Sequence, residues 1–323
     1  MAEGFFNNLV NRLGEGKKCR VAIPFAHDEA CAYAVCRGME TGRLSPILIG
    51  NSDEIKTMYG SCTNNGDLRV IEESSPDAAC ASAVSMIRSG DADIIMKGNV
   101  STSTLLKKVL NSTTGIKRNP LLSHLCFFEL PKYPGVKIIT DAAINIAPDM
   151  EDLARIAENA VEAFSLLCAG DGEFFEGVPA GLPKVALLSA NEKVTDKVPS
   201  TGLAQKVAEI LAAGRKCVVS GPISLDLAIN PDSVRIKKYT GAIKGDADIF
   251  VVPRIEVGNI FYKSLQYFTE SQMAGLVYGA KCPVVLTSRS DSGDTKFFSL
   301  ILGMVLGLKF LEKKDNRIAE AAR

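Results

Sequence analysis

The stretch Pro283-Val284-Val285-Leu286-Thr287-Ser288-Arg289-Ser290-Asp291-Ser292-Gly293-Asp294-Thr295-Lys296 decides the fold. Its first half is an apolar run rich in β-branched residues that stops at two hydroxyls and an arginine. Such a run reads as a buried parallel strand, which delivers polar groups to its carboxyl end, where ligands of open α/β sheets bind. Residues 295–311 then repeat apolar side chains at helical spacing, so Ser290, Ser292 or Asp294 caps a helix whose free N–H groups face the same spot. Ser288 and Arg289 suit an anion, because a planar guanidinium beside a hydroxyl matches phosphate geometry. Asp291 and Asp294 set acids beside that cation. Ser, Asp and Gly in this position are also ordinary loop and capping residues, so the rest of the chain has to decide.

Working outward, strand and helix patterns alternate. Strands are expected at 20–26, 46–50, 68–71 and 92–96, with helices at 28–40, 52–59, 76–89 and about 103–110. The third helix opens on Pro76 and closes before Gly90. The pattern resumes with strands at 136–140, 184–189, 217–220 and 248–252, and helices at 149–167, 201–213, from about 225, and 258–269. Repeated strand-then-helix units imply a parallel sheet covered on both faces. Residues 121–130 are apolar but interrupted by Ser123 and His124 and followed by Pro131, Pro134 and Gly135, which suits a crossing between domains. Residues 170–181 read as a glycine-rich loop.

The chain has 323 residues, 46% of them hydrophobic, enough for two domains with substantial cores. Its 37 basic and 37 acidic residues cancel, so no global field favours nucleic acid or an anionic membrane, and an anion site must be local. Nine cysteines without a CxxC pair, and two histidines, suggest neither a disulfide framework nor a metal site. A reducing cytoplasm is expected, with Cys31 and Cys36 as small core residues. Residues 1–18 have no signal-peptide pattern. The apolar run 297–308 is shorter than the roughly 20 residues that span a bilayer; it reads as a core helix or as a subunit contact through Gly303 and Gly307. Neither a GxGxxG fingerprint after a strand nor a P-loop is present.

Three further clusters sit at strand ends. Lys97-Gly98-Asn99-Val100-Ser101-Thr102-Ser103-Thr104 combines a glycine that admits close approach with hydroxyls at a helix start, a phosphate cradle or a plain N-cap. Lys97, just past an apolar strand, is the harder residue to explain as structure. Asn259, Tyr262 and Lys263 share one helical face, although Tyr262 could simply pack and Lys263 be solvated. Asp141 and Asn145 either serve a cleft or satisfy their own loop. His27 and His124 receive no role.

Taken together, the chain resembles the phosphate acetyltransferase and phosphate butyryltransferase family, the butyryl branch more closely. The resemblance rests on Met96-Lys97-Gly98, Leu122-Ser123-His124, Thr140-Asp141-Ala142-Ala143, Asn145-Ile146-Ala147-Pro148, Gly221-Pro222, Glu256 with Gly258-Asn259 and Tyr262-Lys263, and Thr287-Ser288-Arg289 with Asp291-Ser292 and Thr295-Lys296. It implies a two-domain α/β fold like that of isocitrate and isopropylmalate dehydrogenases. The first domain would hold residues 1–127 and 276–323, the second 128–275, with a cleft between them. The implied reaction is acyl-CoA plus phosphate giving acyl phosphate plus CoA, with no metal and no nicotinamide cofactor. A homodimer or higher homo-oligomer, and metabolic coupling to an acyl kinase, are implied as well.

By motif position, Ser288 and Arg289 match the family pair that holds the phosphoryl group. The family's base falls near Asp294 or Thr295, which leaves Asp294 and Asp291 as candidates. Lys97, Ser101, Thr102 and Ser103 would bind phosphate or acyl phosphate, with Asn259, Tyr262 and Lys263 opposite. A carboxylate is needed because a thiol of pKa about 8.5 is mostly protonated at neutral pH. The alternatives are an acetyl-specific enzyme, a metal- and NAD-dependent dehydrogenase of the same fold, and a binding protein that has lost the chemistry.

Overall fold

Short buried apolar runs form the strands, and side-chain caps such as Asp28, Asn51, Ser75 and Ser101 fix several of the helix starts. The structure, a computed structural model, describes residues 4–11, 13, 16–60, 62, 68–168 and 181–321. The glycine-rich stretch 170–181 lies, apart from its last residue, outside the described residues. In chain order the elements begin with α1 (Phe5–Asn11), β1 (Cys19–Pro24), α2 (Glu29–Glu40), β2 (Leu44–Gly50), α3 (Ser52–Met58), β3 (Arg69–Glu72), α4 (Pro76–Ser89), β4 (Ile94–Met96) and α5 (Thr102–Val109). There follow β5 (Ser123–Leu130), β6 (Tyr133–Thr140), α6 (Met150–Cys168), β7 (Lys184–Leu188), α7 (Pro199–Gly214), β8 (Val218–Ile223), α8 (Leu225–Ile229), α9 (Pro231–Ile236), β9 (Ile249–Val251) and α10 (Ile255–Phe268). The chain closes with β10 (Gln272–Tyr278), β11 (Val284–Val285) and α11 (Gly293–Ala321).

The chain divides into two compact units, residues 6–119 with 274–323, and residues 1–5 with 120–273. In the first, the strand order is β3-β2-β1-β4-β11-β10. β1 runs parallel to β2 and β4, with Val21 opposite both Pro46 and Ile94, and β11 runs parallel to β4. β10 and β11 are antiparallel. Side-chain caps fix two helix starts: Asp28 accepts from Cys31 N and Ser75 from Ala78 N, and Gly90, expected to close α4, does so at φ 80°. α11 lies directly on the sheet. A Cβ on Gly303 would stand 2.4 Å from Val285 Cγ2, and one on Gly307 2.4 Å from Ile94 Cγ2. The run at 297–308 is therefore a core helix whose glycines admit close sheet contact.

In the second unit the order is β5-β6-β9-β7-β8, with β6, β9, β7 and β8 parallel to their neighbours and β5 antiparallel to β6. Its core gathers Phe128, Phe250, Ile139, Ile223 and Leu265, with Phe261 packed on it.

Three expectations are corrected. The sheet is mixed, not wholly parallel, because β5 and β6 form a hairpin and β10 turns back on β11. Residues 123–130, left outside any expected strand, form one: Ser123 and His124 are buried, and Asn159 Nδ2 donates to Ser123 Oγ at 3.0 Å while His124 N donates to Asp141 Oδ2. Cys36 is not a free core cysteine but is bonded to Cys62, with Cα atoms 5.5 Å apart; packing of α2 beside the segment after α3 brings the two together. The other seven cysteines are free.

Candidate active site

The first unit has a topological switch point. From β1 the chain winds outward through β2 and β3, then returns to β4 on the other side of β1, so the loops after β1 and β4 leave in opposite directions. Ligands of open α/β sheets bind outside the strand carboxyl ends at such a point. Lys97 follows β4 and its N–H donates to Val285 O on β11 at 2.9 Å; Asn99 N donates to Phe25 O, just past β1, at 2.8 Å. Gly98 is required between them, since a Cβ there would lie 2.6 Å from the carbonyl oxygens of both Pro24 and Phe25. The ends of β1, β4 and β11 are thus stitched together.

Lys97 is 6% exposed. Its Nζ donates to Gly98 O at 3.3 Å and Val100 O at 3.2 Å, and it has no carboxylate partner among the described residues. Burial pushes its pKa down, with Lys296 and, further down the order, Arg289 acting in the same direction and Asp28 opposing them. Three cations therefore share one neighbourhood. An anion bound there would relieve both the desolvation and the repulsion.

The loop after β11 is held by its own acid. Asp291 is buried and its Oδ2 accepts from Ser288 N at 2.6 Å, while Ser288 Oγ lies 3.1 Å from Ser290 Oγ. Of the three possible caps, Ser292 caps α11, accepting from Thr295 N at 3.1 Å. Arg289 is exposed and makes no hydrogen bond or ion pair among the described residues. Asp294 turns to α2, where Arg37 Nη1 donates at 2.6 Å and Tyr33 Oη at 3.0 Å. The two candidate acids are thus differently engaged, Asp291 inside the loop and Asp294 on the exposed side.

At the start of α5, Ser101 is the N-cap and accepts from Thr104 N at 3.0 Å; its Oγ also meets Ser103 Oγ at 2.9 Å and Thr104 Oγ1 at 2.7 Å. Thr102 is the first helical residue. The first turn carries no acid, so its N–H groups keep their attraction for an anion.

Asn259, Tyr262 and Lys263 belong to the second unit, on α10. Asn259 Nδ2 donates to Ala142 O at 3.3 Å, and Lys263 Nζ donates to Gln266 Oε1 at 2.9 Å while lying 4.9 Å from the Tyr262 ring centroid. Tyr262 is buried, edge-on to His124. Asp141 organises the loop beneath: its carboxylate accepts from the N–H groups of His124, Ala143 and Ile144 and from Asn145 Nδ2, at 2.6 to 3.0 Å. With four donors it serves its own loop, the second of the two readings its sequence allowed.

Sequence reasoning gave no role to Asp28, Lys296, Tyr33 or Arg37. Lys296 Nζ meets Asp28 Oδ1 at 2.6 Å, 268 residues away. The available signal was position: Asp28 follows β1 as Lys97 follows β4. No group of three or more His, Cys, Asp or Glu among the described residues is arranged to hold a metal ion.

The family described as phosphate acetyl/butaryl transferase matches residues 67–304. A probable phosphate butyryltransferase of Bacillus subtilis is 35% identical over 299 residues, 92% of this chain and 96% of that protein. The crystal structure of a branched-chain phosphotransacylase from Enterococcus faecalis is 38% identical with a TM-score of 0.78, covering 90% of this chain and 99% of the other. A 4-hydroxythreonine-4-phosphate dehydrogenase from Klebsiella pneumoniae shares the fold at 10% identity and a TM-score of 0.52, over 91% of this chain and 99% of the other. The dehydrogenase-like α/β fold expected from sequence is therefore present, and the chain belongs to the phosphate acetyl- and butyryltransferase family of acyltransferases.

Proposed function

We propose that the protein transfers an acyl group between CoA and inorganic phosphate, with four-carbon chains, straight or branched, ahead of acetyl. The observation that carries this reading is Lys97, a buried ammonium with two backbone carbonyls and no carboxylate partner among the described residues, at the strand ends that also present Ser288 and Arg289. A phosphoryl dianion supplies what that site lacks. A phosphate oxygen attacks the thioester carbon, the C–S bond breaks and CoA leaves as thiolate, taking a proton. Arg289 and the Ser288 hydroxyl hold the phosphoryl group and stabilise the negative charge that develops at the carbonyl. Ser101, Thr102 and Ser103, with the N–H groups at the start of α5, line the phosphate side.

In the reverse direction a carboxylate must take the thiol proton. Asp294 fits this better than Asp291, since it is exposed and oriented by Arg37 and Tyr33, whereas Asp291 is committed to the Ser288 N–H. No metal or nicotinamide takes part. The product is a mixed anhydride, so a kinase that passes its phosphoryl group to ADP is the reaction that consumes it. A cytoplasmic location follows from CoA esters as substrates. A homodimer or higher homo-oligomer is supported by an apolar stripe on α10, where Val257, Ile260, Tyr267 and Phe268 are exposed.

The test is phosphate-dependent release of CoA from acetyl-, propionyl-, butyryl- and isobutyryl-CoA, read with a thiol reagent. Fastest turnover of a four-carbon substrate supports the proposal. A peak at acetyl-CoA assigns the protein to the acetyl branch. Absence of release from all four, together with thermal stabilisation by NAD and magnesium, would favour a dehydrogenase.

A further inference from the structure

Lys296 lies in the first turn of α11, its N–H donating to Ser292 O, yet its side chain is only 7% exposed. The Nζ is held 2.6 Å from Asp28 Oδ1, the same oxygen that accepts from Cys31 N at 2.8 Å. Asp28 therefore does two things, capping α2 and pairing with Lys296. It is also the carboxylate that pulls on the charge of Lys97. Nevertheless Lys97 does not pair with it and, among the described residues, its Nζ bonds only to Gly98 O and Val100 O.

We propose that Lys296 is a positioning residue that occupies Asp28 and so keeps the ammonium of Lys97 available for the phosphoryl group of the substrate. A lysine is a point charge with three rotatable donors on a flexible stem, and it takes the nearest unpaired carboxylate. Were Lys296 absent, Asp28 would be that carboxylate. Lys97 would turn to it, and the remaining negative charge would repel phosphate. With Lys296 in place Asp28 is already paired, and the two cations left without a carboxylate, Lys97 and Arg289, meet the dianion. This inference rests on the proposed reading of the site as a phosphate site.

A purely structural pair, tying α2 to α11, would behave differently, and a charge cycle separates the two. Asp28→Asn keeps the cap, since Asn caps as well as Asp, and Lys296→Met keeps the apolar stem; Lys296→Gln serves where the methionine fails to fold. Phosphate affinity is read by titration calorimetry and, separately, as the KM for phosphate in the CoA-release assay. Lys296→Met should weaken phosphate about tenfold, within the range of close charge pairs, and leave the KM for acyl-CoA nearly unchanged. Asp28→Asn should tighten phosphate binding. The double variant, which removes the competing carboxylate along with its keeper, should recover to within about threefold of wild type, the signature of a coupled pair. Lys296→Arg should behave as wild type.

If the double variant is as weak as Lys296→Met, or if Asp28→Asn weakens phosphate as much as Lys296→Met does, the proposal is overturned. Wild-type protein that binds phosphate with this ranking but releases no CoA would overturn the reaction and keep the inference. Wild-type protein that turns over acyl-CoA without the ranking would overturn the inference alone, and failure of the wild type to bind phosphate would overturn both.

Discussion

Burying Lys97 with only two carbonyls against its ammonium group costs folding free energy, because the desolvation of a charge is offset only by a good counter-charge. Lys97→Met should therefore leave Tm unchanged or raise it while lowering acyl transfer at least ~100-fold, the scale of losing a transition-state charge donor. Inorganic phosphate should raise the Tm of the wild type and not that of the variant. The pH dependence follows from the sign of the shift. The folded-state pKa of Lys97 lies below its ordinary value, so between the two the unfolded chain binds more protons and stability rises with pH. Below the folded-state value the full penalty is present. The gain in Tm of Lys97→Met over wild type should thus be largest below the folded-state value and shrink as pH rises through that window; a gain that stays constant across it in thermal melts would contradict this. That Lys97, Ser288 and Arg289 stand just past strands was legible in the sequence, because each follows an apolar run that ends abruptly. Lys296 was not, since a lysine in the first turns of a helix looks solvated, and its partner lies 268 residues away.

At the scale of elements, the site depends on how closely α11 lies on β4 and β11. Gly303 faces Val285, three residues before Ser288, with 2.4 Å available to a Cβ. Gly303→Ala should destabilise by about 1–3 kcal/mol, the usual cost of overpacking a core. Adding Val285→Ala should return most of that loss in denaturant titrations, since the clash is with the Val285 side chain. If the double variant is no better, the glycine is held by something other than this contact. Helices were legible here because their ends carry local chemistry, such as Ser75 with Pro76 and Gly90 for α4. The antiparallel hairpin was not, because Ser123 and His124 break its apolar pattern and are satisfied by Asn159 and Asp141, which no local window contains. β10 was missed for a related reason: its Gly275 interrupts the run, and its N–H donates to the buried Ser299 Oγ of α11.

For the molecule as a whole, equal numbers of acids and bases leave no long-range pull on the substrate, so anion capture rests on local groups and should be only weakly salt-dependent. The same neutrality removes a charge barrier to self-association. Val257, Ile260, Tyr267 and Phe268 on α10 are 43, 66, 65 and 85% exposed and follow helical spacing, giving a stripe about 100° wide. A monomer gains nothing by displaying such a face, whereas two copies can bury it against each other. Ile260→Asp combined with Phe268→Ser should convert the proposed oligomer to a species of half the mass or less in light scattering. The far-UV spectrum should be unchanged, because neither side chain contributes to the core. Phosphate affinity should be unchanged too, since Lys97, Ser288 and Arg289 belong to the other compact unit. A wild-type protein that is monomeric, or a double variant that keeps the wild-type mass, would show that copies of this chain do not assemble through α10.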